Sequence, residues 1–277
     1  MGTADPPWRA DQFAIVMSFN EDKCIIYVAT GEFYVSEAAL SAQRSRVFDS
    51  SVSYICYTNL VEYASQFEVF DLVLEHPCPV FSYRDKLLPL VDLPADYCIF
   101  LDSDAALVRP SQEIFDLLTN NHCLAAYAPV RHPSGWSDSA VPALFPELNT
   151  GVLLLRRSQE QKDFIQSWLS KYDICSSKYN QLWDQASFRS CLWDYMVNHG
   201  LRFQHLPSEA NFRLTKPWVA GKGLPVHVVH GRVPDDEWDL LLEYLNGNTN
   251  IFRTWNEWLR RYPSSALKLK IPPQPLG

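Results

Sequence analysis

Short apolar runs alternate with amphipathic stretches along the chain, and the alternation predicts an α/β protein. Cys24–Thr30 is a continuous apolar run ending at Gly31, and Ser53–Thr58 and Phe70–Leu74 repeat the pattern. Runs of this kind, without polar alternation, read as strands buried on both faces. Between the first two, Ser36–Asp49 contains no Gly or Pro and opens on a Ser suited to cap a helix. Strand, helix and strand in that order form a right-handed crossover unit, the start of a doubly wound sheet. Ser82–Val91 predicts a short helix interrupted by Pro89, and Tyr97–Leu101 a central strand between Pro94 and Pro110. Pro110-Ser111 starts a helix that runs to Leu118. Cys123–Ala128 and Leu148–Leu155 are further strands, and Ser158-x-x-Gln161 is a capping box ahead of Phe164, Ile165, Trp168, Leu169 and Tyr172 at helical spacing.

Asp184–Asn198 is a helix that Asp184 can cap and Gly200 follows. Leu201–His205 and Pro225–Gly231 are the last strand-like stretches. One closing helix carries Trp238, Leu241, Leu242 and Leu245. The other follows a Thr254-x-x-Glu257 box and carries Trp255, Trp258, Leu259 and Tyr262. Residues 129–146, with Pro129, Pro133, Gly135, Pro142 and Pro146, form a long irregular insertion of the kind that serves as a lid or binding loop. No repeat and no domain boundary interrupts the pattern. The expectation is one domain over 1–277: a lead-in over 1–22, a catalytic core over 23–232, and C-terminal helices with a Pro-rich tail over 233–277.

Composition narrows the class. The 277 residues are 47% hydrophobic and 13% aromatic, enough to bury one substantial core and too apolar for disorder. A formal charge of −8, with no Lys/Arg block, argues against a nucleic-acid surface. Any phosphate-bearing ligand then needs a metal and a few placed cations. The seven cysteines are odd in number and lie mostly inside strand-like runs, which predicts small core residues in a reducing compartment. No signal peptide or membrane-spanning run is present in the sequence. The expected location is the cytoplasm, or the secretory-pathway lumen if a membrane anchor is absent from this chain.

The central strand ends in Asp102-Ser103-Asp104. In open α/β sheets ligands bind just outside the carboxyl ends of strands, and two aspartates there can converge on one hard cation such as Mn²⁺ or Mg²⁺. A lone Asp-x-Asp can equally just end a strand. Four further features fall at the same sheet edge. Thr30 and Gly31 end the first strand and can hydrogen-bond a base or ribose, with Tyr34 placed to stack. Arg84 and Lys86 precede the central strand and can meet a diphosphate, or simply form a solvated helix face. Asn149-Thr150-Gly151 runs into an apolar strand, where the Asn amide can bind sugar hydroxyls. His230 ends a strand before Gly231, where the backbone can turn toward a ligand. His227, three residues earlier, points to the other face of a regular strand and stands as the alternative nitrogen ligand.

An apolar strand with Asp-Ser-Asp, Asn149-Thr150-Gly151-Val152-Leu153-Leu154 about 45 residues on, Asp184-Gln185 and a strand-terminal His-Gly together resemble the GT-A glycosyltransferases. The pattern is closest to the family 8 retaining enzymes, which include glycogenin and the lipopolysaccharide galactosyltransferases, and covers roughly 23–232. The resemblance implies a Rossmann-like, mostly parallel mixed sheet flanked by helices. It also implies metal-dependent transfer, with retention, of a sugar from a UDP-linked donor to a hydroxyl of a glycan, protein or small-molecule acceptor. It assigns Asp102, Asp104 and a C-terminal His to Mn²⁺ and the donor diphosphate, with Ser103 between them. Ala29, Thr30 and Tyr34 would hold uridine, Arg84, Lys86 and Asn149 the diphosphate or sugar, and Asp184 and Gln185 would flank the anomeric carbon. The family's Lys-Pro-Trp follows its last strand, whereas Lys216-Pro217-Trp218 here precedes it, which brings Gly231 and Arg232 into the donor set with Arg232 in the place of the family lysine. Two rival readings are a nucleotide-sugar or glycan-binding domain without turnover and a haloacid-dehalogenase-type phosphatase. The phosphatase motif asks for Thr or Val where Ala106 stands. If transfer inverts the sugar instead, Asp138 and Glu147 in the insertion are the candidate bases.

Overall fold

The structure is a computed structural model that describes residues 22–127, 136–215 and 224–247. Seven strands form the main sheet in the order β3-β2-β1-β4-β7-β6-β8. Here β1 is Lys23–Val28, β2 Ser53–Thr58, β3 Leu72–Glu75, β4 Tyr97–Leu101, β6 Cys123–Tyr127, β7 Leu148–Arg156 and β8 Phe203–Leu206. β3, β2, β1 and β4 run parallel, β7 is antiparallel to both β4 and β6, and β8 is parallel to β6. The expected mixed, mostly parallel α/β sheet is therefore present. Three short strands, β5 (Ala105–Leu107), β9 (Phe212–Arg213) and β10 (Val228–His230), form a second sheet in the order β5-β10-β9.

The apolar runs are continuous because both faces of the main sheet are covered. On β4, Ile99 and Leu101 pack with Val35, Ala38 and Ala42 of helix α1 (Glu32–Arg46) and with Ile114, Phe115 and Leu118 of helix α3 (Gln112–Leu118). Cys98 and Phe100 face the other way, onto Phe164 and Trp168 of α4 (Gln159–Tyr179) and Phe188 and Leu192 of α5 (Gln185–Asn198). A third cluster joins Trp238, Leu241 and Leu245 of helix α6 (Asp235–Gly247) to the small sheet through Ala106, Phe212 and Val229. All seven cysteines are free thiols, and all but Cys78 are buried.

Several local expectations are corrected. α1 begins a turn before Ser36, at Glu32; Gly31 precedes it, and the Ser36 hydroxyl bonds the Glu32 carbonyl (2.9 Å) instead of capping. Ser82–Val91 is not an α-helix. Its amides bond three residues back, Asp85 to Ser82 and Leu87 to Arg84 (both 3.0 Å), and a single 3₁₀ turn covers Pro89–Val91, since Pro89 has no N–H to extend an α-helix. The capping box is half formed. Ser158 accepts from the Gln161 amide (3.1 Å), but the Gln161 side chain donates to the Leu90 carbonyl (2.7 Å). Helix α2 (Val61–Ser65) and strands β5 and β9 were not expected, being too short to show a period. The lead-in, the second closing helix, Lys216-Pro217-Trp218 and the Pro-rich tail lie outside the described residues.

Candidate functional site

Register places the chemistry. Leu101, the last residue of β4, lies opposite Val152 on antiparallel β7 and beside Tyr27 on β1. The Asp102 amide continues the ladder to the Gly151 carbonyl (2.7 Å), so Asn149-Thr150-Gly151 lies alongside the Asp-Ser-Asp turn. That turn then feeds straight into β5, whose Ala105 pairs with His230 on β10. The two aspartates thus sit at the junction of the two sheets, and the Gly231 amide closes the junction on the Asp104 carbonyl (2.8 Å).

Asp102, Asp104 and His230 offer ligand atoms that all lie within 4.8 Å of one another. His230 Nε2 is 3.7 Å from Asp102 Oδ2 and 3.4 Å from Asp104 Oδ1. A backbone amide fixes the histidine tautomer. The Gly151 N–H donates to Asn149 Oδ1 (3.2 Å), so Asn211 presents its Nδ2 to that same oxygen (2.7 Å) and its own Oδ1 to His230 Nδ1 (2.9 Å). An amide oxygen only accepts, which puts the proton on Nδ1 and the Nε2 lone pair toward the two carboxylates. Three acceptors that converge in this way require a cation between them, either a proton on Nε2 or a metal ion. The relay behind the histidine is the kind of support that metal-ligating imidazoles have. Burial pushes the Asp102 carboxyl above its ordinary value, more than Lys86 and His230 pull it back. Burial also acts on Asp104, but the hydrogen bond and charge of His230 and the Arg232 charge outweigh it and hold that carboxyl low. Two carboxylates and one imidazole nitrogen suit Mn²⁺, and Mg²⁺ less well. Gly151 keeps the space clear: a Cβ there would fall 2.9 Å from Asp102 Cγ and closer still to His230 Cε1.

The cluster opens into a cavity of about 470 Å³ that also takes in Thr30, Tyr34, Lys86, Ser103, Asn149, Asp184, Gln185 and Arg232. Most of the expected residues are therefore together, though several act differently from expectation. Lys86 is not on a solvated face: its Nζ is buried 2.9 Å from Asp184 Oδ2, 3.1 Å from Thr150 Oγ1 and 3.6 Å from Asp102 Oδ1. Burial pulls its pKa down, but Asp102 and Asp184 outweigh this and hold the ammonium above its ordinary value. Asp184 precedes α5 but makes no side-chain cap, since its Oδ2 accepts from Thr150 Oγ1 (2.7 Å) and Lys86. The Thr30 hydroxyl donates to Asp85 Oδ2 (2.8 Å), and the same Asp85 carboxylate holds the Val80 and Phe81 amides (2.8 and 2.9 Å). Ser103 Oγ donates to Glu37 Oε2 (2.5 Å), away from the cavity centre, and Glu37 also pairs with Arg232 Nε (2.6 Å).

Three expected site residues do not reach the cavity. Arg84 turns outward to Asp173 (2.8 Å) because it sits on the far side of the 82–85 turn from Lys86. Ala29 is buried, and its amide is taken by the Tyr57 carbonyl (2.9 Å). Gly231, at φ 137°, lies behind Asp104 against Leu214. His227 leaves the cluster: its Nε2 faces Glu113 (3.1 Å). Within the insertion, residues 129–135 lie outside the described residues. Its remainder packs on α4 and α5, with Asp138 bound to Ser190 Oγ (2.5 Å), and neither Asp138 nor Glu147 lines the cavity. Sequence reasoning missed Asn211, Arg213, Thr150, Tyr83 and Trp183. Asn211 precedes and Arg213 ends a two-residue strand, which carries no periodic signal.

Solved structures of glycosyltransferases share this architecture. The glycosyltransferase GlyE of Streptococcus pneumoniae TIGR4 matches with a TM-score of 0.52 at 16% identity, over 92% of this chain and 66% of its own. The galactosyltransferase LgtC, solved with donor and acceptor sugar analogs, matches with a TM-score of 0.52 at 15% identity, over 91% of this chain and 98% of its own. A glutamine-to-glutamate active-site mutant of LgtC gives a TM-score of 0.51 at 13% identity, over the same shares. The chain thus spans just under two thirds of GlyE and nearly all of LgtC. No protein-family model matches the chain, and neither does any curated protein. At these identities the likeness establishes the fold, which is the GT-A fold of glycosyltransferases.

Proposed function

We propose that the protein is a metal-dependent glycosyltransferase that moves a sugar from a nucleotide diphosphate donor, UDP-linked, to a hydroxyl acceptor with retention of anomeric configuration. The observation that carries this reading is the convergence of Asp102, Asp104 and the lone pair of His230 Nε2 in a cavity that Asp184 and Gln185 also line. Asp102, Asp104 and His230 would hold a divalent ion, which would supply the positive charge that a leaving diphosphate needs. Tyr34, half exposed and edge-on to Phe33 (5.3 Å), offers a stacking face for the base. Asn149 lines the cavity with its amide nitrogen free of protein partners among the described residues, ready to donate to a sugar hydroxyl or phosphate. The Asp184 carboxylate, oriented by Lys86 and Thr150, stands where positive charge grows on the sugar ring, and such fixed groups stabilise charge as it develops. Gln185 adds an amide at the same end, and in LgtC an active-site glutamine was the residue changed to glutamate.

The phosphatase alternative loses its support. Its motif also asks for an acidic pair after a late strand, whereas Asp235-Asp236 follows Pro234 and starts α6 outside the cavity, with Asp235 paired to Arg44 (2.6 Å). The test is UDP binding with and without Mn²⁺ for the unmodified chain and for Asp104→Ala, followed by NMR of the product's anomeric centre. The expected result is Mn²⁺-dependent binding lost in the variant, and a retained anomer. Undiminished Mn²⁺-dependent binding by Asp104→Ala sinks the metal assignment, and an inverted anomer sinks retention. Nucleotide-sugar binding without transfer to any acceptor favours the silent binding domain.

A further inference from the structure

One wall of the cavity is apolar and open. Phe81, Tyr83 and Trp183 line it, with Val80 and Leu182 beside them in the chain, and all five are between 45% (Tyr83) and 67% (Phe81) exposed. Two segments meet here on one stretch of α4. Arg84 pairs with Asp173 (2.8 Å), and the neighbouring Tyr172 donates to the Leu182 carbonyl (2.8 Å). Lys86 joins the segments from inside, with its Nζ 5.7 Å from the Tyr83 ring centre and 2.9 Å from Asp184, the residue after Trp183. The wall therefore adjoins the Asp184 carboxylate. Phe81 is held in it against its backbone preference. Its φ is 56°, in the left-handed region that bulky residues rarely adopt, and the buried Asp85 carboxylate pins it by accepting from the Val80 and Phe81 amides (2.8 and 2.9 Å). Packing gives no reason for this strain, because most of the residue faces solvent.

We propose that this wall seats an alkyl chain carried by the acceptor, next to the hydroxyl that receives the sugar. The inference rests on the glycosyltransferase reading above and adds the acceptor class. Large apolar side chains left in water along a cavity wall mark a ligand surface, and covering them with hydrocarbon is favourable in proportion to the area removed from water. Backbone groups beside them are already spent. The Val80 and Phe81 amides go to Asp85, the Leu182 carbonyl to Tyr172, and the Trp183 carbonyl to the Gln181 side chain (3.3 Å). A peptide laid on this wall loses hydration of its own polar groups without finding those partners, whereas an alkyl chain has none to satisfy. Val80 and Leu182 have no ring to stack on a sugar face, and they widen the wall for hydrocarbon alone. The base has a separate aromatic neighbour, Tyr34 on α1.

The test saturates the full chain with Mn²⁺ and UDP and titrates matched methyl, octyl and phenyl glycosides of glucose and of galactose, keeping the octyl compounds below micelle formation. The expected result is that each octyl glycoside binds at least about tenfold tighter than its methyl partner, equivalent to roughly 1.4 kcal/mol, and tighter than the phenyl one, whichever sugar carries it. Phe81→Asn removes the ring with a residue that suits a positive φ, and Trp183→Ser removes the indole. Each should cut the octyl preference severalfold while UDP affinity stays the same. Equal binding of methyl and octyl glycosides overturns the inference, and a preference for phenyl overturns the alkyl class. An octyl preference intact in both variants places the chain elsewhere and overturns it too. So does a Phe81→Asn protein that loses UDP affinity, because the wall then holds the base. A chain that binds no UDP with Mn²⁺ removes the glycosyltransferase reading itself, an outcome distinct from UDP binding without an alkyl preference.

Discussion

Gly151→Ala tests the site most directly, because the added atom lands in the middle of the cluster. Built on the existing backbone, the Ala Cβ lies 2.9 Å from Asp102 Cγ and nearer still to Asp102 Oδ2 and His230 Cε1, distances that packed carbons do not adopt. The backbone cannot yield easily, since the Gly151 carbonyl accepts from the Asp102 amide (2.7 Å) and its N–H donates to Asn149 Oδ1 (3.2 Å). The strain must go into the two side chains. His230 is held through Nδ1 by Asn211, whereas Asp102 reaches Lys86 only at 3.6 Å, so Asp102 rotates first and takes a ligand oxygen with it. Overpacking of this size costs about 1–3 kcal/mol. In a domain of this length that is a fall in Tm of about 2–4 °C per kcal/mol. Mn²⁺ affinity should fall by at least about tenfold, more than the modest stability loss explains. The assay is thermal unfolding with and without Mn²⁺: at 100 times Kd the intact site gains about 2.7 kcal/mol, and the variant should gain much less. A folded Gly151→Ala protein with undiminished Mn²⁺ stabilisation refutes the placement of the ion between Asp102 and His230.

Three further outcomes follow from the same geometry. His230→Ala should lower Mn²⁺ affinity by about tenfold or more while His227→Ala leaves it nearly unchanged, because only His230 faces the aspartates; the reverse order in a metal titration would place the ion elsewhere. Lys86→Met strands the buried Asp184 carboxylate and should cost about 3–5 kcal/mol in urea unfolding, with much of it recovered in the Lys86→Met/Asp184→Asn double variant; equal losses in single and double variants would show that the pair is not coupled. Asp49 ties α1 to the start of α3 by accepting from the Ser111 amide and hydroxyl (2.9 and 2.5 Å); burial pushes its carboxyl up, but the Ser111 and Ser51 hydrogen bonds outweigh this and hold it low. A depressed folded pKa gives stability that is present above the unfolded value of about 3.9 and lost as pH falls through the folded value. The stability gap between the unmodified chain and Asp49→Asn should therefore be full at pH 7 and close under acid, and a gap independent of pH would remove the charge from the explanation.

The main sheet was legible in the sequence because its strands are covered on both faces and so appear as unbroken apolar runs, from Cys24 to Leu155. The Asp-Ser-Asp turn was legible for the same reason, as the first polar residues after such a run. Where length fails, the reading fails with it: β9 has two residues and β5 three, and both are identifiable only through their pairing with β10. Capping roles were misassigned where a polar side chain found a better partner, and in the case of Ser36 the helix start was misplaced with it. Ser36 bonds Glu32 and Tyr63, Gln161 bonds Leu90, and Asp184 bonds Lys86 and Thr150. Apart from Glu32, one helical turn before Ser36, those partners are distant in the chain, where local capping rules do not see them. Arg84 and Lys86 show the limit plainly. They are two residues apart and alike in charge, yet a tight turn sends one to solvent-facing Asp173 and the other into the cavity floor.

What separates ligand-facing groups from structural ones in this cavity is the state of their charge before any ligand arrives. Asp85 is satisfied by two backbone amides and the Thr30 hydroxyl, Lys86 by Asp184, and Arg232 by Glu37. A buried ionic group without such partners is costly, so folding alone gives no reason to keep one. One exception stands among the described residues: the acceptors of Asp102, Asp104 and His230 face one another, and the nearest ammonium, Lys86 Nζ, stays 3.6 Å from Asp102 and is paired more closely with Asp184 (2.9 Å). The aspartates are fixed where they stand by the β4–β7 ladder and His230 by its pairing with β5 and β9. The arrangement is resolved by a ligand that brings its own cation. A metal-bound nucleotide diphosphate has that charge pattern.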